Sequence, residues 1–288
     1  MSDPVLVGVD GSEASLAAVD VAVREARLRG TGLRIVHAFI WPLMRVPLGP
    51  AQDGPPEGGL RHQAEGVLAD ARARAEALDP HLAVETELVT GEPLTVLARW
   101  SRQAALVVVG SRGLGRFGAL LIGSVAVHLA AHADCPVLIV RGRPDPEGPV
   151  LAAVDGTGVG AEALGFAFAE ASARRAPLTA LHIAHPSTSW PDQEERVLAE
   201  ALAGWREKYP DVELHSEVVE AHPRPALIEA SREAQLLVVG ARGRGGFAGL
   251  LLGSTSQAVI QHAHCPVVVV RQPAERTAEG AAEHTAQD

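Results

Sequence analysis

Cysteine, lysine and long apolar runs are scarce in this sequence. Only two cysteines occur among 288 residues, too few for a disulfide framework, which favours a reducing cytoplasm. The 25 Lys and Arg are outnumbered by 35 Asp and Glu, so the net charge of −10 gives no electrostatic support to nucleic-acid or anionic-membrane binding. Residues 117–133 lack charged side chains, but Gly123, Ser124 and two histidines keep this run below the roughly 18 apolar residues of a membrane span. The sequence therefore predicts a cytoplasmic protein whose partners are neither nucleic acid nor a membrane.

The chain contains one domain twice. Residues 105–124 and 235–254 are identical at 12 of 20 positions, at a constant offset of 130. The openings "VLVGVDGS" and "VLAAVDGT" lie 145 residues apart, and the 15 extra residues (145 − 130) fall in a Pro/Gly-rich loop of the first half. We predict a first domain over residues 1–142, a second over 148–272 and a flexible acidic tail over 273–288.

Short apolar segments alternate with amphipathic helical patterns in both halves. Continuous Val, Leu and Ile runs of this kind predict an α/β fold, a parallel sheet with helices on both faces. Ligands of such sheets bind beyond the carboxyl ends of the strands. Asp10 and Gly110 follow the first and fourth predicted strands, as Asp155 and Gly240 do in the second half, so each pair meets in one crevice if those strands are neighbours. The predicted strands are 4–9, 33–38, 82–89, 105–109 and 136–141, then 149–154, 178–184, 212–219, 236–239 and 266–271.

A spaced glycine pattern follows the fourth strand of each half. It reads Gly110-x2-Gly113-x9-Gly123-Ser124 in the first copy, and the second copy keeps the spacing. Such glycines let backbone amides approach an anion, while a Ser at a helix cap adds a hydroxyl beside the positive end of the helix dipole. A tight turn with an ordinary Ser cap explains one copy equally well, but the duplication favours a phosphate site. A P-loop is excluded because the only lysine, Lys208, is remote, and no G-x-G-x-x-G follows the first strand.

Together these features resemble the universal stress protein family in its tandem form. The resemblance rests on "VGVDGS" at the opening of a half, on the spaced glycines and on the terminal strand "CPVLIVR". It implies two Rossmann-like copies of a five-stranded parallel sheet of order 3-2-1-4-5, each binding ATP, with Mg²⁺ only as a companion of the nucleotide. The implied binding residues are Val9, Asp10, Ala38, Val109, Gly110, Arg112, Gly113, Gly123, Ser124 and Val125 in the first half, and Val154, Asp155, Ile183, Val239, Gly240, Arg242, Gly243, Gly253, Ser254 and Thr255 in the second.

The resemblance also implies how the nucleotide lies. Asp10 would contact it, Ala38 would lie against the adenine, and Gly110 would close the base and ribose pocket. The later glycines and Ser124 would take the phosphates. Arg112 could pair with a phosphate, although an Arg at a solvated loop tip is the commoner situation.

Binding without turnover is the predicted activity. Phosphoryl transfer needs metal-holding acids, a cationic clamp and a positioned water, whereas each half has one Asp near its loop and no lysine in that loop. We expect a nucleotide-responsive regulator with a still unidentified protein partner. Two alternatives stay open: a slow ATPase or nucleotidyl-transfer enzyme on the same fold, and a nucleotide-free interaction scaffold.

The sequence also predicts how the halves differ and meet. Ser15 and Arg116 of the first half are replaced by Gly160 and Gly246, so the first site should bind ATP more tightly. The apolar terminal strands should pair within the chain as a pseudo-dimer, which leaves a further homodimer open. The face around Glu25 has the pattern of a solvated helix surface.

Overall fold

Strands and helices alternate through both halves of the chain, as the pattern predicted. The computed structural model describes residues 3–39, 59–113, 123–143, 146–186, 191–243 and 251–271. The first half contains β1 (Val5–Gly8), α1 (Glu13–Arg29), β2 (Leu33–Phe39), α2 (Leu60–Leu78), β3 (Val84–Thr90), α3 (Pro93–Trp100), a 3-10 turn (Ser101–Gln103), β4 (Leu106–Gly110), α4 (Ser124–His132) and β5 (Val137–Val140). The second half contains β6 (Val150–Val154), α5 (Gly158–Arg174), β7 (Leu178–Ala184), α6 (Pro191–Leu202), α7 (Trp205–Lys208), β8 (Leu214–Glu220), α8 (Pro223–Ala230), β9 (Leu236–Gly240), α9 (Ser254–His262) and β10 (Val267–Val270).

All ten strands join one sheet, in the order β3-β2-β1-β4-β5-β10-β9-β6-β7-β8. Within each half the neighbouring strands are parallel and follow the order 3-2-1-4-5, which confirms the predicted topology. The first and fourth strands of each half are therefore adjacent. This adjacency is the condition under which each aspartate and its glycine pattern meet at one edge of the sheet.

The two halves join through their last strands, as expected from the sequence. β5 and β10 are antiparallel, with Leu138 opposite Val268 and the flanking pairs Val137–Val269 and Ile139–Val267. Leu138 and Val268 are separated by the repeat offset of 130, so a local twofold axis passes through this pair. The strands that would otherwise be open sheet edges are thereby paired inside the chain.

Alternating strand residues bury two apolar layers. Val5 and Val7 face a core formed with α1, α2 and α5, whereas Leu6 faces the core formed with α3, α4, α8 and α9. All three side chains are buried, because a parallel sheet is covered on both faces.

One part of the α1 surface is buried, contrary to prediction. Glu25 is only 2% exposed and pairs with Arg29 on its own helix and with Arg174 on α5. Glu170, also buried, accepts from Arg29 and from Arg174, at 2.9 Å for the latter. Burial, and secondly the charge of Glu25, raises the pKa of Glu170. The solvated-surface interpretation was wrong for Glu25 because the second half covers this end of α1.

Several predicted features lie outside the described residues: most of the Pro/Gly-rich loop, Arg116, Gly246 and the acidic tail over 273–288. In the part of the chain that the structure describes, no helix combines the length and apolarity needed to cross a membrane.

Candidate functional site

The carboxyl ends of β1 and β4 frame a cleft of about 1000 Å³. Its walls include the cap of α1, the end of β2 and the start of α4. All ten binding residues predicted for the first half line this cleft: Val9, Asp10, Ala38, Val109, Gly110, Arg112, Gly113, Gly123, Ser124 and Val125. Sequence reasoning thus selected positions that the fold brings together.

Asp10 organises the turn between β1 and α1. Its Oδ1 accepts from the Ser12 amide at 3.0 Å and from the Ser12 hydroxyl at 2.6 Å. Ser12 is the N-cap of α1, since its Oγ accepts from the Ser15 amide at 3.2 Å. Gly11 supplies the positive φ of 86° that this turn needs. The aspartate therefore stands beside the cleft on a turn fixed by its neighbours.

Two glycines of the pattern are required by contacts within the protein. A Cβ on Gly113 would collide with Asp10 Oδ2, and a Cβ on Gly110 would lie 2.7 Å from the Ala14 carbonyl oxygen. The loop after β4 consequently packs directly against the Asp10 turn and α1. Glycine at these positions brings the aspartate and the loop together.

Gly123 has no such requirement among the described residues. A Cβ there would meet its nearest neighbours, Arg112 Cα and the Ser111 carbonyl oxygen, at 3.6 Å, an ordinary van der Waals distance. Its φ of −73° and ψ of 146° are accessible to any residue. The absent side chain leaves open space beside the cleft, at the start of α4, where the first backbone amides have no partner within the helix.

The predicted serine caps are corrected by one position. Gly123 is the N-cap of α4 and Gly253 that of α9, and neither helix has a side-chain cap bond. Ser124 and Ser254 are the first helical residues, and both are exposed. Their hydroxyls are not used to cap the helices.

The second half repeats this arrangement at the ends of β6, β7 and β9. Asp155 Oδ1 accepts from the Thr157 amide at 2.9 Å and from its hydroxyl at 2.7 Å, and Thr157 caps α5. A Cβ on Gly243 would lie 2.9 Å from Asp155 Oδ2. Gly253 again has only ordinary neighbours, the nearest at 3.4 Å, and an extended backbone. The remaining predicted residues occupy the equivalent places: Val154 and Ile183 on β6 and β7, Val239 and Gly240 on β9, Arg242 in the loop, and Ser254 and Thr255 at the start of α9.

One difference between the two aspartate turns changes their hydrogen bonds, the replacement of Ser15 by Gly160. Ser15 Oγ accepts from the Asp10 amide at 3.3 Å and donates to the Ser12 carbonyl at 2.9 Å. Ser15 lines the cleft, and its hydroxyl is already bonded within the turn. At the equivalent Gly160, a Cβ would collide with Asp155 Oδ1.

Sequence reasoning missed several cleft residues, among them Pro93 and Leu97 on α3. A Cβ on Gly8 would lie 2.8 Å from Leu97 Cδ1, so this side chain reaches across the end of β1. Pro93 at the start of a helix was the available signal. It could not be placed at the cleft before the position of α3 was known.

Histidines stand at the ends of β2 and β7. His37 Nδ1 bonds the Val9 carbonyl at 2.7 Å, and His182 Nδ1 bonds the Val154 carbonyl at 2.6 Å. His182 Nε2 also lies 2.6 Å from Glu194 Oε2, a buried contact that the sequence did not reveal. Among the described residues, no three His, Cys, Asp or Glu side chains form a group that could hold a metal ion.

Comparisons with known proteins agree on one family. The sequence model of the universal stress protein family matches residues 1–141 and again 148–271. A universal stress protein of Mycolicibacterium smegmatis is 40% identical over 287 residues, which cover 93% of this chain and 96% of that protein. The crystal structure of a universal stress protein from Archaeoglobus fulgidus shares the fold, with a TM-score of 0.72 at 23% identity over 95% of this chain and 97% of that one.

A shorter solved structure, described as a universal stress protein in complex with cAMP, is 29% identical and covers 48% of this chain and 97% of its own, with a TM-score of 0.38. The family match is thus found once in each half, and the bacterial relative aligns along nearly the whole chain. The protein belongs to the universal stress protein family, in its tandem, two-domain form.

Proposed function

We propose that each half binds one ATP, at the cleft beyond its first and fourth strands. The observation that carries the proposal is Gly123, whose missing side chain is required by no contact with the residues that the structure describes. A glycine at this place leaves room for a ligand beside the unpaired amides of α4, where the helix dipole favours an anion. The same arrangement at Gly253 supports a second site.

The nucleotide would lie across the cleft with its phosphates at the start of α4. Gly113, Gly123, Ser124 and Val125 would hold the phosphates, with Arg112 at the rim of the same loop. The base and ribose would lie toward β2, against Ala38, Val9, Val109 and Gly110, with Asp10 contacting the nucleotide. Mg²⁺ would arrive with the phosphates, and its charge would offset part of theirs.

The protein would act as a regulator in the cytoplasm rather than as an efficient enzyme. Asp10 Oδ1 already accepts two hydrogen bonds from Ser12, which lessens its capacity to act as a general base toward water. Binding of the nucleotide would then change the surface presented to a protein partner. Counting phosphate released over many hours tests this directly, since an enzyme would exceed one equivalent per site.

Calorimetric titration of a Gly123→Val/Gly253→Val protein with ATP tests the binding proposal. Valine is compatible with the extended backbone at both positions, so the variant should fold while its side chains fill the phosphate space. We expect ATP affinity to fall by about a hundredfold or more. Gly66→Val is the matched control, because a Cβ on this exposed α2 glycine meets nothing within 4 Å. Unchanged ATP affinity in a folded double variant would refute the proposed sites.

A further inference from the structure

Two arginines connect each half to a helix of the other. Arg141 directly follows β5, and its Nη1 donates to the Val259 carbonyl at 3.2 Å and to the Ile260 carbonyl, both in the last turn of α9. Arg271 follows β10, and its Nη1 donates to the Ala133 carbonyl at 3.2 Å, at the C-cap of α4. The two arginines are separated by the repeat offset of 130, so the two connections are counterparts across the local twofold axis.

These contacts suit the ends of helices. A cation at the last turn of a helix complements the negative end of the dipole, and here it adds to the bond that the Val259 carbonyl accepts from the Ala263 amide at 2.9 Å. Each of the two helices is nine residues long, about 13 Å at 1.5 Å per residue. The far end of α9 is Ser254 and that of α4 is Ser124, the ends that we assign to phosphate. Each arginine therefore holds the C-terminus of the helix whose N-terminus belongs to the opposite site.

Each arginine is also attached to the glycine loop of its own half. Val140 lies opposite Gly110 in the sheet, and its carbonyl accepts from the Ser111 amide at 3.1 Å. In the second half, the Val270 carbonyl accepts from the Ala241 amide at 2.7 Å. One strand residue therefore connects each loop to the adjacent arginine.

The arginine in each glycine loop also interacts electrostatically with the connecting arginine of the same half. Burial, and to a lesser degree the nearby charge of Arg112, lowers the pKa of Arg141. Burial and the charge of Arg242 likewise lower the pKa of Arg271, while Asp134 acts in the opposite direction. The loop arginine and the connecting arginine of each half therefore repel each other, and an anion beside the loop arginine would reduce this repulsion.

We infer that the two nucleotide sites are coupled through Arg141 and Arg271, so that ATP bound in one half strengthens ATP binding in the other. This inference rests on the proposed function. Phosphates next to Arg112 offset its repulsion of Arg141, which then holds the C-terminal turn of α9 more firmly and stabilises the helix that presents amides to the second site. The path through Arg242, Arg271 and α4 is the counterpart from the second site to the first, and the coupling free energy is the same whichever site is filled first.

The test compares two-site binding with the two sites taken singly. Gly253→Val leaves only the first site and Gly123→Val only the second, so calorimetry gives one association constant for each. In the unmodified protein, the product of the two ATP association constants should exceed the product of the single-site constants about fivefold, the lower end for allosteric pairs. Adding Arg141→Gln and Arg271→Gln to all three proteins should make the two products equal. The exposed Arg72→Gln, which is in neither path, should leave the fivefold excess unchanged.

Hydrogen exchange provides a second readout that does not need both sites. In the Gly253→Val protein, ATP at the first site should slow exchange of the last-turn amides of α9, and Arg141→Gln should abolish this slowing. Should Arg141→Gln fail to fold, Arg141→Lys keeps the charge but lacks the planar guanidinium that reaches both carbonyls, so a reduced slowing is expected.

Two results would overturn the coupling and leave two independent ATP sites. One is a product of the two association constants in the unmodified protein equal to the product of the single-site constants. The other is hydrogen exchange in α9 that does not change when ATP binds at the first site. Absence of ATP binding at either site would overturn the proposed function, and the coupling with it.

Discussion

Two turns with the same Val-Asp-Gly opening hold their aspartates differently. Around Asp10 the backbone amide bonds the Ser15 hydroxyl, and the carboxylate bonds Ser12. Around Asp155 the carboxylate occupies the room that a side chain at Gly160 would need. A single replaced side chain thus alters how firmly the aspartate at each site is held.

From this difference we expect the first site to bind ATP more tightly, by roughly tenfold, or about 1.4 kcal/mol. The additional bond from the amide of Asp10 fixes its turn before the ligand arrives, which lowers the entropy cost of binding. Titration calorimetry of Asp10→Ala and Asp155→Ala, measured separately, gives the ranking. Loss of the tighter phase on Asp155→Ala would reverse it.

The two cysteines should be unreactive in the folded protein. Burial is the main cause that raises the pKa of Cys135 and of Cys265 to about 12, against an ordinary value of 9.0. At pH 8 the thiolate fraction is then about a thousandfold smaller than for a free thiol. We expect a disulfide reagent to label neither thiol in native protein at pH 8. It should label both thiols once the protein is unfolded in about 6 M guanidinium. Rapid native labelling of the buried Cys265 or of the half-buried Cys135 would contradict the raised pKa.

The same thiols should make the fold sensitive to alkali. Because their folded pKa lies above the unfolded value, the stabilisation from keeping them neutral is complete below pH 9 and is lost as pH rises toward 12. The difference in unfolding free energy between the wild type and a Cys135→Ala/Cys265→Ala protein should therefore shift against the wild type between pH 9 and 11. A difference independent of pH would exclude this linkage.

At the scale of elements, the sequence predicted the strands closely, because short Val, Leu and Ile runs have few alternatives in an α/β chain. It did not predict that one helix of the second half would divide into α6 and α7. Gly204 lies between them with a φ of 78°. A single glycine within a helical pattern does not by itself predict that the helix ends there. The sequence predicted many of the residues that line the cleft but missed the side chains of α3. Packing between elements that are distant in the chain leaves no local pattern from which it could be predicted.

The helix pairs on one face of the sheet are held by different means in the two halves. Asp20 on α1 bonds Arg74 on α2, at 2.6 Å for the second oxygen. In the second half the place of Asp20 is taken by Gly165, on which Trp205 of α7 lies, with its ring stacked 5.4 Å from that of Phe168. An ion pair has been replaced by an aromatic contact that needs a glycine beneath it.

Two Gly→Ala substitutions in helices should therefore have opposite signs. Gly66→Ala gains helix propensity and meets nothing, so the unfolding free energy should rise by about 0.5–1 kcal/mol. Gly165→Ala places a Cβ 2.6 Å from Trp205 Cη2, and overpacking of about 1–3 kcal/mol should outweigh the same gain. Urea denaturation of both variants measures the signs. A stabilising Gly165→Ala would show that the Trp205 ring moves aside freely.

At the scale of the whole molecule, a closed group of four charges joins the halves. Glu25 and Arg29 on α1 are separated by 145 residues from Glu170 and Arg174 on α5, so the repeat itself creates the group. Each arginine bonds both glutamates. Each half alone keeps one Glu–Arg pair on its own helix, but each carboxylate also bonds a cation from the other half, so separating the halves removes two of the four contacts.

Removing one arginine should weaken the whole chain. We expect Arg29→Met to lower the unfolding free energy by about 3–5 kcal/mol at pH 7, because two buried carboxylates then share one cation. The matched change Arg72→Met breaks only an exposed pair on α2, which contributes about 0.5 kcal/mol or less.

Acidification should reduce the deficit of Arg29→Met, because burial raises the pKa of Glu170 and its protonation removes one of the crowded charges. Denaturation of Arg29→Met and of the wild type at pH 7 and at pH 5 measures this change in the deficit. The lower pH is about one unit above an ordinary Glu pKa. Equal deficits for the two arginine variants would show that the four-charge group adds nothing to stability.

The antiparallel pairing of β5 with β10 has a consequence for dilution. Two separate chains joined through these strands would fall apart as their concentration dropped, and their unfolding midpoint would fall with it. Here the partner strand belongs to the same chain, so the pairing of the two halves is unimolecular and does not depend on protein concentration. The same midpoint should be observed at nanomolar and at micromolar protein. A cell making only a few copies of this chain would still hold every copy in its joined form.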